Sequence, residues 1–381
     1  MNILLVDHAP FFGGAESFLL DLISVLNRDE FTATIVTDSH SPVLEKFRAT
    51  GVHVATMDLP QINRTPFFLA RLLGAGAALA RIASESRADV LHTFTARTHL
   101  IGAVASRLSG IPIVWRIGDD TLPAWMLNVF ARLPRRIIIV GVSHWIITRY
   151  PHLRFDGLVP DGARPALTSS RQDARAELGL SCDALIAAHI GRLVRWKGQD
   201  VFIRAMAQVA KAIPSARGLI VGAWQREDER PGMLGGGESY AKELRALAEQ
   251  LGAPITFAGF IRDPGIAYAA ADVITHTSTL PEPFGRITIE AMMAHRPVIA
   301  ANAGAQPEIV VPGETGLLTF PGDADALATA LIELFSSEPR RAEMGRAGHA
   351  RAQEHFSLAL MGERMQKAYR RAAQLKHANL S

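Results

Sequence analysis

A single cysteine, Cys182, stands among 381 residues. One thiol can close no internal disulfide and build no cysteine-based metal site, and a reducing cytoplasm suits such a chain. A long apolar run is also missing: none approaches the ~18 residues of a spanning helix. The longest β-branched block, Ile137 to Val142, suits a buried strand. The start, Met1 to Asp7, has no basic leader and a run of only four apolar residues before Asp7, so it reads as a first β-strand and not as a signal peptide. Clusters of His and Cys at metal-ligand spacing are absent, so no essential divalent ion is expected; full activity in EDTA is the check. There is no G-x-G-x-x-G and no acidic residue placed to hold an NAD ribose, which argues against nicotinamide chemistry. Net charge is only +3, so the total points to no polyanionic partner, and no nucleic acid is expected.

What is present describes a large folded chain. At roughly 100–200 residues per domain the length predicts two or three domains, and 48% apolar residues suffice for large cores. Charge is unevenly spread. Residues 1–63 carry three basic and eight acidic residues, residues 64–154 carry twelve arginines against four acids, and the tail from Arg340 has nine basic against three acidic. A solvated basic face is the plain reading. Attraction to an anionic membrane surface or a phosphate-bearing acceptor is the sharper one. The helix around Arg64, Arg71 and Arg81 has Phe67 and Phe68 beside it; Phe67, Phe68, Leu69 and Leu72 are read as core residues, with membrane contact as the alternative.

Short apolar runs alternate with amphipathic stretches in both halves. Strands are predicted at 2–6, 32–37, 52–57, 90–93, 112–117 and 136–141, then at 184–190, 218–221, 255–258, 273–275 and 297–300. Helical spacing of apolar residues marks 15–26, 67–83, 199–213 and 357–375. This alternation predicts parallel, doubly wound sheets, repeated in architecture and not residue by residue. Residues 160–181 collect Pro160, Pro165, Thr168, Ser169, Ser170 and charges, which suits a linker between the halves.

The chemistry concentrates in Pro281 to Met292, PEPFGRITIEAM. Glu282 and Glu290 are separated by seven residues. Gly285 lets the backbone approach a ligand, and a helix opening after it offers N–H groups and a positive dipole end to an anion. Glu282 lies in the loop before that helix. Glu290 lies about one turn inside it, where it can accept from hydroxyls. Gly191-Arg192 with Lys197 follow the strand 184–190; a guanidinium and an ammonium can balance the charge of a departing diphosphate without a metal. Phe11-Phe12-Gly13-Gly14 follow the first strand at the carboxyl end, where open α/β sheets bind ligands.

These residues, in order and spacing, resemble the E-x7-E element and its surroundings in retaining glycosyltransferases of the GT-B fold, family 4. The resemblance runs on through Pro297-Val298-Ile299-Ala300, Gly304, Glu308, Gly313 and Thr315-Gly316-Leu317-Leu318, and back to Gly191-Arg192-Leu193 and Lys197-Gly198, covering most of the second half. It implies two Rossmann-like domains with a deep cleft between them: 1–165 for the acceptor, 166–355 for the nucleotide-sugar, and a last helix in 356–381 that packs back on the first domain. It implies a metal-independent hexosyl transfer by front-face attack from a nucleotide-sugar, UDP- or GDP-linked, to a glycan, lipid-linked or small-molecule acceptor in cell-envelope polysaccharide or glycolipid synthesis. The nucleotide-sugar is substrate, and no cofactor is expected. The catalytic group is Glu282 near the donor sugar, Arg192 and Lys197 on the diphosphate, and Asp119. The donor-binding group is Gly13 and Gly14, Glu290 on the ribose, Gly285, the backbone N–H groups of Ile287 and Thr288, and Ile261 at the base.

Three positions depart from that pattern. Where family members place a histidine against the donor sugar, this chain has Gly118, and the adjacent Asp119 is the candidate to replace it. Asp161-Gly162-Ala163-Arg164 stands for the usual Asn-Gly-Val-Asp, and His295 for a common glycine. His92, His99 and His144 read as structural or acceptor-rim residues. The rival functions are a GT-B epimerase or phosphorylase, which for an epimerase needs no acceptor, and a catalytically silent nucleotide-sugar-binding protein; a dinucleotide oxidoreductase comes third. The expected location is cytoplasmic, with the inner face of the membrane as a docking surface if the basic helices use it.

Overall fold

The computed structural model describes residues 1–8, 13–60, 67–119, 121, 123–164, 169–224 and 235–377. The chain divides into two units. The first is Met1–Gly162 with Leu358–Ser381 and the second is Ala163–Ser357.

Unit 1 is built on the strands β1 (Asn2–Val6), β2 (Thr32–Asp38), β3 (His53–Met57), β4 (Val90–Thr93), β5 (Ile113–Ile117), β6 (Ile137–Gly141) and β7 (Gly157–Leu158). They pair in parallel in the order β3-β2-β1-β4-β5-β6-β7. A parallel sheet needs crossover helices, which cover both faces, so its strands are apolar throughout. Ile3, Leu4, Leu5 and Val6 are accordingly all buried. The helix Gly14–Val25 turns Phe18, Leu19, Leu22 and Ile23 inward. The helix Leu358–His377 belongs to the same core through Met361, Met365, Tyr369 and Ala372. Polar ties hold it there: Tyr369 Oη is 2.7 Å from His92 Nδ1, and Arg370 forks onto both oxygens of Glu30 at 2.6–2.7 Å.

Unit 2 carries β8 (Leu185–Ile190), β9 (Ala216–Val221), β10 (Ile255–Gly259), β11 (Val273–His276), β12 (Val298–Ala301) and β13 (Gly316–Thr319). Their order is β10-β9-β8-β11-β12-β13, again parallel. The helix Gln199–Ala212 buries Val201, Phe202, Ala205, Met206 and Val209, the face its spacing predicts. In both units strand order steps outward from the first strand and then reverses on its other side, the doubly wound arrangement of a Rossmann-like domain.

Two expectations are corrected. The stretch read as a linker is in part a built element: Ser170 caps the helix Arg171–Glu177. There the fully buried Arg175 donates to the carbonyls of Ala270, Ser181, Cys182 and Ala184 and pairs with Asp272 at 2.9 Å. Serine and charge mark a helix start as readily as a loop; Pro165 and Thr168 lie outside the described residues. Phe67 and Leu69 are also not core. They are 67% and 64% exposed, whereas Leu72 is buried. β7 and β13 carry no alternation long enough to announce a strand.

Candidate functional site

Strand order in unit 2 reverses between β8 and β11, which run side by side with His189 opposite Thr275. Loops leaving such a pair part in opposite directions and open a crevice at the carboxyl ends. The loop after β8 brings Arg192 and the short turn Arg195–Lys197; the loop after β11 brings Glu282 and the helix Arg286–Met293. Lys197 Nζ reaches Glu282 Oε1 at 2.7 Å. His276 Nε2 lies 2.8 Å from the same oxygen, and the Ser278 hydroxyl donates to it as well. Burial pushes the Glu282 carboxyl up, but the Lys197 ammonium and the His276 ring outweigh it and hold the group well below the usual carboxylate range. Glu282 is therefore a buried anion matched by a cation.

The turn that presents Lys197 depends on close backbone contact. Gly198 has φ +71°, and a Cβ there would stand 2.1 Å from the Thr277 carbonyl oxygen. The Thr277 hydroxyl bridges the Lys197 and Gly198 carbonyls at 2.9 Å each. Gly285 plays the same part across the loop. It starts the helix at φ +98°, where a Cβ would meet Gln306 Nε2 at 2.0 Å. Gln306, fully buried, donates to the Phe284 carbonyl (2.8 Å) and accepts from the Thr288 hydroxyl (2.7 Å). The Thr288 N–H goes to the Gly285 carbonyl at 3.1 Å. Of the two N–H groups expected to face a phosphate, that of Thr288 is thus paired inside the first turn; Ile287 beside it is half-buried.

Glu290 accepts the Tyr268 hydroxyl at 2.7 Å and has Arg286 at 3.4 Å, so it is half-buried and held, not a solvated helix face. Burial, with the Glu290 carboxylate second, pushes the Tyr268 phenol well above its ordinary value and keeps it a donor. The carbonyl of Arg192 accepts from Gln199 at 2.7 Å. Ile261 is half-buried after β10, at the outer edge of the sheet, two strands from β8.

The remaining expected residues belong to unit 1. Gly13 caps the helix Gly14–Val25, its N–H donating to Glu16 Oε2 at 2.6 Å, and Gly14 is exposed; both follow β1, one of the reversal pair β1 and β4. Phe11, Phe12 and Asp120 lie outside the described residues. Asp119 accepts the Ala96 N–H at 3.3 Å on Oδ2 and the Thr121 hydroxyl at 2.9 Å on Oδ1, which ties the start of the helix Ala96–Ser109 to the loop after β5. His92 and His99 are buried in pairs with Tyr369 and with Thr93. His8, at the end of β1, is held by Thr95 at 2.7 Å. Burial, then the Arg97 charge, push its ring down to about 3 against the pull of Asp38. Among the described residues no group of three or more His, Cys, Asp or Glu is arranged to hold a metal, and no helix is long and apolar enough to cross a membrane.

Residues 170–351 match the family model for glycosyl transferases group 1, and residues 12–141 match the model for glycosyltransferase family 4. Together the two models cover most of the chain and, with the fold, support a GT-B group 1 glycosyltransferase. A GDP-mannose-dependent monoacylated alpha-(1-6)-phosphatidylinositol monomannoside mannosyltransferase of Corynebacterium glutamicum is 28% identical over 383 residues, covering 94% of each chain. A D-inositol 3-phosphate glycosyltransferase of Corynebacterium aurimucosum is 32% identical over 209 residues, 54% of this chain and 47% of that one. Among solved structures, Anabaena HepE in complex with UDP and glucose superposes with a TM-score of 0.81 at 26% identity, over 96% of this chain and 98% of that one.

Within this glycosyltransferase, sequence reasoning named Glu282, Lys197 and Glu290 but missed the residues that hold them. His276, Ser278, Tyr268 and Gln306 supply the contacts, and Thr277 locks the turn. The signal for His276 was a polar residue closing an apolar strand, Val273-Ile274-Thr275-His276. Nothing local marked Tyr268 or Gln306, whose partners lie 22 and 18 residues away.

Proposed function

We propose that this glycosyltransferase moves a hexosyl group from a UDP- or GDP-sugar to a glycan, lipid-linked or small-molecule acceptor of the cell envelope, with retained anomeric configuration and no metal. The observation that carries the reading is the Lys197–Glu282 pair at the reversal point of unit 2. A cation there can receive the diphosphate as the glycosidic bond to it breaks, while the carboxylate addresses the sugar. Glu290, held by Tyr268, would take the ribose hydroxyls, and Gly13, Gly14 and Asp119 in unit 1 would serve the sugar and acceptor. Retention is inferred from the E-x7-E element. The donor class is supported by the relatives, one of them crystallised with UDP and glucose and another named for GDP-mannose. The exposed Phe67, Leu69, Leu73 and Trp125, in the basic stretch of unit 1, support an anionic membrane surface as a further partner.

Arg192→Ala and Lys197→Ala should each lower kcat by about 100- to 1000-fold, the loss expected for one stabiliser of developing charge. The assay is release of UDP or GDP with the anomeric proton of the product followed by NMR, run with and without EDTA. Turnover within a factor of about three of wild type in both variants would remove the site from the mechanism.

A further inference from the structure

The resting site spends its cation on its own carboxylate. Lys197 Nζ sits on Glu282 Oε1, yet the proposed reaction needs that ammonium on a diphosphate. Glu282 is 7% exposed, and a carboxylate this buried, left without a cation, is costly. Among the described residues, one other group able to become a cation lies within hydrogen-bond reach of the same oxygen: His276, 3% exposed, at 2.8 Å. Its second nitrogen, Nδ1, is buried and has no hydrogen-bond partner. With Nε2 turned to the carboxylate, Nδ1 is a second ring nitrogen that no described group engages.

We propose that His276 is a positioning residue that takes up a proton from solvent when a nucleoside diphosphate draws Lys197 away, so that an imidazolium replaces the ammonium beside Glu282. This rests on the donor-site reading above. Among the described residues, the charged and titratable groups tied to this cluster are Glu282 on the ring's own loop, Lys197 from the turn after β8, and His189 from β8. His189 Nδ1 is likewise buried without a partner, but the ring's hydrogen bond goes to the backbone and not to Glu282. Its Nε2 faces the Lys197 carbonyl at 3.1 Å, and burial, partly opposed by that bond, pushes the ring down to about 4. The two histidines thus divide the work: His189 fixes the backbone of Lys197, and His276 fixes the carboxylate of Glu282. In effect the exchange keeps Glu282 ionised and in place while the cation moves.

The test is titration calorimetry of the full chain with UDP and with GDP in buffers of different ionisation enthalpy. Wild type should take up close to one proton per nucleotide bound, so affinity should fall up to about tenfold per unit of rising pH. His276→Asn should bind nucleotide with that uptake lost. Histidine-labelled wild-type protein should show the His276 ring nitrogens moving to imidazolium values on adding nucleotide, which tests the idea even if the variant does not fold. Uptake near zero in wild type, uptake that persists in His276→Asn, or a ring that stays neutral overturns the inference while leaving the donor site standing. Binding that is indifferent to Lys197→Ala sinks the donor site itself.

Discussion

Lys197 and Glu282 lie 85 residues apart in the chain and meet because single glycines remove the atoms that would keep their loops apart. Gly198 shows this most directly. An alanine there must adopt a left-handed backbone, costing roughly 1–2 kcal/mol, and push its methyl into the Thr277 carbonyl, a backbone atom that cannot swing aside. Gly198→Ala should therefore destabilise unit 2 by about 2–4 kcal/mol in total. Faster hydrogen exchange at the amides of β8 and β11, with unit 1 unchanged, is the expected result. Equal protection in variant and wild type would show that the turn tolerates a side chain. The Lys197-Gly198 pair was legible as a motif. The reason for the glycine was not, because the atom it avoids belongs to a different strand loop.

At the scale of elements, the periodicity of apolar residues located every described strand but β7 and β13, and the helices at 15–26, 67–83, 199–213 and 357–375, but not the long helices Ala96–Ser109, Gly237–Leu251 and Glu338–Phe356, and it could not say which apolar positions would stay exposed. The helix Phe68–Glu85 buries Leu72, Ala75, Leu79 and Ala83 against its own unit. It leaves Leu69 and Leu73 in solvent, with Phe67 just before it and Arg71 among them. Apolar side chains beside arginine fit the headgroup boundary of an anionic bilayer, where each basic residue near the surface contributes about 1 kcal/mol. The full chain should float with phosphatidylglycerol vesicles at low salt and stay behind with phosphatidylcholine. Replacing Phe67, Leu69 and Leu73 together by serine should abolish flotation. Wild-type protein that remains unbound on anionic vesicles removes the membrane from the proposal.

At the scale of the whole molecule, unit 1 stores its acid sensitivity in histidines. His8 and His99 are pushed down to about 3 and His92 is also lowered, each chiefly by burial. The unfolded chain protonates the same rings near 6.5, so between those values it binds more protons than the folded one. Stability is then full above about pH 7 and declines as pH falls from 6.5 toward 3, by up to about 1.4 kcal/mol per unit for each ring. Urea midpoints of unit 1 measured between pH 7.5 and 4.5 should fall steadily; a flat or rising series contradicts the burial of these rings. The sequence by itself determined the two parallel sheets, pointed to a glycosyltransferase and singled out Glu282, Glu290 and Lys197 as candidates, because strand and helix periods and a motif of fixed spacing are local properties of a chain. Only the tertiary structure decided that Glu282 is buried under Lys197, His276 and Ser278, that Thr288 spends its N–H and hydroxyl within the loop, and that Tyr268 and Gln306 hold the site together. Those outcomes follow from strand order and from backbone approach at Gly198 and Gly285. Neither is written in the spacing of residues along a single segment.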